Sequence, residues 1–155
     1  MAERGIRTMT ATGHAIIGTV IATKIGNPAL AIPLAFISHI IGDLFPHWDE
    51  GTNGKTKSKE RIIKEALIDV ILGFALSYLL IFLLFPQTNI LYAFLIIVTS
   101  QLLDWLTAPW YFFGIKPFKV FYKFQKMFDN RMPAPWGIIN QVAILALLVL
   151  LAKIF

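Results

Sequence analysis

A chain of 155 residues has room for one domain, and 57% hydrophobic residues with a mean hydropathy of +0.68 exclude an ordinary water-soluble core of that size. Its net charge of +5 would suggest nucleic acid for a soluble protein, but the basic residues fall between long apolar runs and read as membrane topology and contact with anionic lipid headgroups, with no nucleic acid partner. There is no cysteine, which excludes disulfides and thiolate metal sites, so any metal must be held by His and carboxylate.

Arg4 and Arg7 precede a short apolar stretch, and Ala29-Leu30-Ala31 has the small residues of a signal-peptidase site. Thr19, Thr23 and Lys24 interrupt the stretch, and an equally apolar segment follows at once, so it is expected to be retained as a first helix from Met9 to Ile25. Gly26-Asn27-Pro28 ends that helix and starts a second, over Pro28 to Phe45. A third begins amphipathically near Ser58, turns fully apolar from Leu67 to Phe85 and stops at Pro86-Gln87-Thr88-Asn89. The fourth is expected over Ile90 to Thr107 and the fifth over Pro135 to Phe155. Between them, Ala108 to Ala134 alternates aromatics with lysines, as in Trp110-Tyr111-Phe112-Phe113 and Lys119-Val120-Phe121-Tyr122-Lys123. Rings with snorkelling lysines suit the headgroup zone better than stacking on single-stranded nucleic acid. The expected fold is all-α: one domain over 1–155, a polytopic helical membrane bundle of about five transmembrane helices with an interfacial segment.

With that helix order, Lys24 and Lys153 are the two of the 14 basic residues that fall on the opposite side from all the others. The positive-inside rule then predicts a multi-pass protein of the inner, cytoplasmic membrane with its N-terminus in the cytoplasm.

At about 1.5 Å per helical residue, every ionisable group within or beside an apolar span projects to the cytoplasmic third of the bilayer. His14 lies near the inner end of the first helix, and His39 and Asp43 are four apart on one face of the second. Asp69 lies early in the third, one turn after Glu65, and Asp104 near the inner end of the fourth. Charge at depth is costly and usually marks a site. Convergent imidazole and carboxylate suit a divalent ion such as zinc or manganese, with His39, Asp43 and His14 as ligands and Asp69 or Asp104 closing the set. Glu65 and Asp69 are the carboxylates available for catalysis. His47, beyond Pro46 beside Trp48, Asp49 and Glu50, is a further ligand candidate against the default of a solvated loop.

Plainer roles exist for each. His14 can be an interfacial residue, His39 and Asp43 a hydrogen-bonded pair, Asp69 and Asp104 partners of Arg61 or Lys116, and Asn140 and Gln141 interhelical hydrogen-bonding residues. At headgroup level, metal-polarised water attacking a lipid phosphate or acyl ester is the natural reaction. The alternative is a non-enzymatic membrane protein, either a small proton- or cation-coupled transporter or a structural subunit. A transporter calls for a repeated half and a midplane site, and the sequence has neither. A second copy of the chain could complete the polar face, leaving a homo-oligomer open. Ser100 stands near Asp104 without a His in the same helix to complete a nucleophilic relay, and there is no Gly-rich phosphate loop.

Three stretches carry a specific resemblance: Thr12-Gly13-His14-Ala15, the run from Leu34 through Ser38-His39-Ile40-Ile41-Gly42-Asp43 to Pro46-His47-Trp48-Asp49, and Leu102-Leu103-Asp104-Trp105-Leu106-Thr107. Together they resemble the bacterial and archaeal membrane-bound metal-dependent hydrolases of the YdjM-like group, and more distantly the metal-binding helix of zinc-dependent phospholipase C and related nucleases. The resemblance implies an all-helical metallohydrolase with His14, His39, Asp43 and Asp104 at motif positions. This chain has Glu60-Arg61 and Lys64-Glu65-Ala66 where that group carries His-Arg and Thr-His-Ser stretches. It has Gln101 where the group tends to have a His three residues before the Asp, which shifts the expected ligand set toward carboxylates.

Overall fold

The apolar runs fold as helices whose ends are set by the expected stop and cap residues. A computed structural model describes residues 9–49, 57–128 and 130–155; Arg4, Arg7, Glu50 and Lys55, used above for topology and for the loop after Pro46, lie outside the described residues. Helix α1 covers Ala11–Lys24, and the Thr10 side chain accepts from the Gly13 N–H at its start. Helix α2, Pro28–Leu44, is capped by the Asn27 side chain and has Pro28 in its first turn, where no donor is lost. Helix α3 is Lys59–Leu84 with Ser58 as cap, and α7 is Trp136–Ile154. Among the described residues there is no strand; His47 and Arg131 form an isolated bridge.

The expected unbroken fourth helix over Ile90 to Thr107 is corrected. It is two helices, α4 (Ile90–Ser100) and α5 (Leu102–Phe113), bent by 50° at Gln101. The cause is local competition for the helical ladder. The Gln101 N–H bonds to Val98 O, a tightened turn, and the Gln101 amide donates to Ile97 O. The Ser100 carbonyl accepts from the His39 ring. Helix α5 then runs on through Trp110-Tyr111-Phe112-Phe113, residues expected to begin the interfacial segment, and stops at Gly114, whose φ of 71° glycine adopts without strain. A 3₁₀ turn (Lys116–Phe118) and α6 (Lys119–Gln125) follow.

Helix α1 is the hub, packed on α2, α3, α4 and α7. Its neighbours show the inside-out pattern of helices in lipid. In α2 the buried stripe is Ala31, Ala35, Ser38, His39, Gly42 and Asp43, while Leu30, Leu34, Ile37, Ile41 and Leu44 point outward. Small residues let backbones approach where no hydrophobic force drives helices together. The core is accordingly Ala15, Ala22, Ala31, Ala35 and Ala93 filled in by Ile21, Ile81, Ile96 and Ile97. Gln141 donates to Thr10 and Asn140 to the Pro46 carbonyl, so these two residues tie the start of α7 to the bundle.

Helices α3 and α7 are each long and apolar enough to cross a membrane, and the bent α4–α5 pair makes a third if taken as one span. Helix α2 is apolar but has 17 residues. Helix α1, with 14, extends roughly 21 Å against a hydrocarbon core of about 30 Å. Length and composition thus support two or three spans among the described residues.

Candidate metal centre

Three helix ends and a helix break converge at one end of the bundle. His14 comes from the first turn of α1, His39 and Asp43 from the last turns of α2, and Asp104 from the first turn of α5. The bend at Gln101 turns α5 so that Asp104 reaches the His39 ring. His14, His39 and Asp104 each present a ligand atom within 4.8 Å of the other two.

His39 organises the group. Its Nδ1 lies 2.7 Å from Ser100 O, and since a carbonyl only accepts, Nδ1 carries the proton and Nε2 keeps its lone pair. That lone pair faces Asp43 Oδ2 at 3.5 Å and Asp104 Oδ1 at 3.7 Å. The His14 ring stacks on it, with centroids 3.8 Å apart and planes 10° from parallel, and places its Nε2 3.2 Å from Asp43 Oδ1. Asp43 also accepts from the Met9 N–H at 2.6 Å. Neither ring nitrogen of the buried His14 makes a hydrogen bond, an uncommon condition for a group removed from water. The Ser100 Oγ–H donates to His14 O at 2.8 Å, so one serine holds both histidine-bearing helices.

Gln125, from α6, is the residue that sequence reasoning missed. Its buried amide nitrogen donates to Asp104 Oδ1 at 2.8 Å and lies 2.9 Å from His39 Nε2. The positive end of the amide dipole thus stands between two lone-pair-bearing atoms, which is what a cation would do there. The available signal was a lone uncharged polar residue among lysines and aromatics, and α6 is too short for its buried face to be read from periodicity.

The other expected site residues are held by contacts of their own. His47 is buried, but beyond Pro46 the helix has ended and its Nδ1 turns back to Phe45 O at 2.7 Å. Its backbone pairs with Asn130 and Met132. Asp49 is also buried and pairs with Arg131 at 3.3 Å, so the expected solvated loop is a packed one. Glu65 accepts from Lys57 Nζ at 2.6 Å and Arg61 Nε at 2.7 Å. Asp69 accepts from the backbone N–H groups of Ala11 and Thr12, capping α1 from the neighbouring helix, and lines a cavity together with Asp104. Asp69→Ala is expected to lower stability by about 0.5–2 kcal/mol, the range for a lost helix cap, with unchanged metal content. Thermal unfolding in detergent, paired with elemental analysis, checks both halves of that expectation.

No family model, curated protein or solved structure matches the chain.

Proposed function

We propose that this chain is a multi-pass membrane metallohydrolase that cleaves an ester bond of a lipid, or of another membrane-associated phosphate or acyl ester, at headgroup level. The observation that carries the reading is His39, whose Nδ1–H is anchored on a backbone carbonyl while its Nε2 lone pair faces two carboxylates and the stacked His14. Backbone anchoring of the far ring nitrogen is the usual way a metal-binding histidine is oriented. The N···O separations of 3.2, 3.5 and 3.7 Å are close to the roughly 3.4 Å between neighbouring ligands of a tetrahedral ion with bonds of 2.0–2.2 Å.

His14, His39, Asp43 and Asp104 would hold zinc or manganese, with Gln125 able to turn its carbonyl inward. A bound ion would supply an acidified water and polarise the scissile ester. Asp69, which shares a cavity with Asp104, is assigned to proton transfer. Glu65, with Lys57 and Arg61, lines a neighbouring cavity suited to the polar end of a lipid. The resemblance to the YdjM-like group points the same way. We take α1 and α2 to cross the membrane as well, sheltered by the longer helices, which gives five spans of the inner membrane. Its N-terminus and basic loops are then cytoplasmic and meet anionic lipids.

The test is hydrolysis. Protein loaded with zinc or manganese in mixed bacterial lipids should release a fatty acid or a phosphate-bearing headgroup, detected by mass spectrometry, and chelation or Asp104→Asn should abolish the release. Bound metal with no cleavage of phospholipids or isoprenoid phosphates would overturn the enzyme and favour the non-enzymatic alternative.

A further inference from the structure

Helix α6 inverts the usual order of burial. Val120 and Phe124 stand 61% and 39% exposed, while Gln125, at 4%, is the one buried residue of this helix. Burying an amide in place of an available phenyl ring is unfavourable unless the polar group finds partners, so the inward face of α6 is set by what Gln125 reaches. Its amide nitrogen lies 2.8 Å from Asp104 Oδ1 and 2.9 Å from His39 Nε2. Both atoms carry lone pairs, and both belong to the proposed centre.

A cation drawn to those lone pairs would face the amide N–H groups, which repel it. Half a turn about the last side-chain bond exchanges nitrogen for oxygen in the same space, and that torsion is broad and roughly two-fold, so the exchange is easy. Gln125 Oε1 then stands where the nitrogen was. The separations around His39 fall into two classes. Asp43 Oδ2 and Asp104 Oδ1 lie 3.5 and 3.7 Å from its Nε2, whereas the Gln125 amide lies at 2.9 Å. With metal–ligand bonds of 2.0–2.2 Å, neighbouring ligands are about 3.5–3.8 Å apart at 120°, about 3.3–3.6 Å at the tetrahedral angle and about 2.8–3.1 Å at 90°. His39 and the two carboxylates thus suit wide angles, with Gln125 perpendicular to them. His14, whose Nε2 is 3.2 Å from Asp43 Oδ1, supplies a fifth donor.

We propose that Gln125 is a metal ligand through Oε1, that it makes the centre five-coordinate, and that it shifts the preference of the centre from zinc toward manganese. Counting His14, His39, Asp43, Asp104 and Gln125, the donors are two nitrogens and three oxygens. Oxygen donors and a coordination number above four suit manganese, whereas zinc is held well by four ligands. Zinc binds most nitrogen and oxygen sites more tightly than manganese, so the effect of Gln125 is read as a ratio of affinities. This deepens the metallohydrolase reading and rests on its metal centre.

The experiment titrates the full chain in detergent with manganese and with zinc by calorimetry, and uses cobalt as a spectroscopic probe of coordination number. Wild type should give the weak visible bands of five-coordinate cobalt. In Gln125→Leu the side chain fills the same space and offers no donor atom. The cobalt bands should then become the intense ones of a four-coordinate ion, with manganese affinity down about 10-fold or more and zinc affinity changed less. Gln125→Glu separates a ligand from a hydrogen-bond donor. Glutamate supplies the oxygen without the N–H groups, so manganese affinity should be kept or raised; a glutamine serving only as donor to Asp104 predicts that glutamate is worse than leucine. Intense four-coordinate bands in wild type would overturn the assignment, and that reading stands even if a variant fails to fold. Manganese and zinc weakened by one factor in Gln125→Leu, or glutamate worse than leucine, would also overturn it while leaving the centre. A wild-type chain that binds none of the three ions would overturn the centre itself and Gln125 with it.

Discussion

Replacing His39 and Asp43 together by alanine is expected to reduce bound zinc or manganese from about one ion per chain to a negligible level, with affinity down on the order of 10³-fold or more if two direct ligands each count for at least what an orienting group does. The two residues are one turn apart on the buried face of α2, and both reach the centre, so the pair takes away an imidazole and a carboxylate at once. The double variant is also the cleaner experiment. Removing His39 alone leaves Asp43 and Asp104 facing each other with less to offset them, and breaking a buried charged pair costs about 3–5 kcal/mol. Removing both members leaves the His14–Ser100 contact and the small-residue packing of α2 on α1 in place. Helicity by circular dichroism should therefore survive better in the double variant than in His39→Ala alone. Elemental analysis of purified protein is the measurement. Equal, negligible metal in wild type and double variant would remove the centre.

The parts of this site that the sequence made legible are those that depend on spacing along one helix. His39 and Asp43 at i and i+4 must share a face, and the reversal at Gly26-Asn27-Pro28 brings the start of α1 back to the end of α2. What stayed hidden depends on backbone groups and on chain direction. Ile90 to Thr107 has no Gly or Pro, so its apolar run reads as one helix, and nothing in it announces that the Ser100 carbonyl would serve His39. The same limit applies to the Met9 N–H on Asp43 and to the N–H groups of Ala11 and Thr12, which draw Asp69 to the end of a helix. His47 shows where helical spacing stops. It stands four residues beyond Asp43, but Pro46 and the turn at Phe45 end the helix first, and the spacing loses its meaning. Of the five expected spans, length and composition support two or three among the described residues, because α1 and α2 are short.

Gly18→Leu should disable the centre without touching a ligand. A side chain at Gly18 would start 2.5 Å from Ser100 Oγ and 3.1 Å from Ile97 Cα. Rotation can turn the serine hydroxyl aside, but the Ile97 backbone moves only with α4. Helix α4 must then draw away from α1. Ser100 travels with it, and Ser100 is where the two histidines are held, through its Oγ on His14 O and its carbonyl on His39 Nδ1. Overpacking of this kind costs about 1–3 kcal/mol of stability, and loss of an orienting partner lowers metal affinity about 10- to 100-fold. Gly18→Ala should fall between, since one methyl group meets the same atoms with less to accommodate. Gly26→Leu is the control, because nothing lies within 4 Å of a side chain there, and neither stability nor affinity should change. Metal titration and thermal unfolding of the three variants separate the outcomes. Wild-type affinity in Gly18→Leu would mean that the α1–α4 crossing does not set the histidines, and the orienting role of Ser100 would have to be given up.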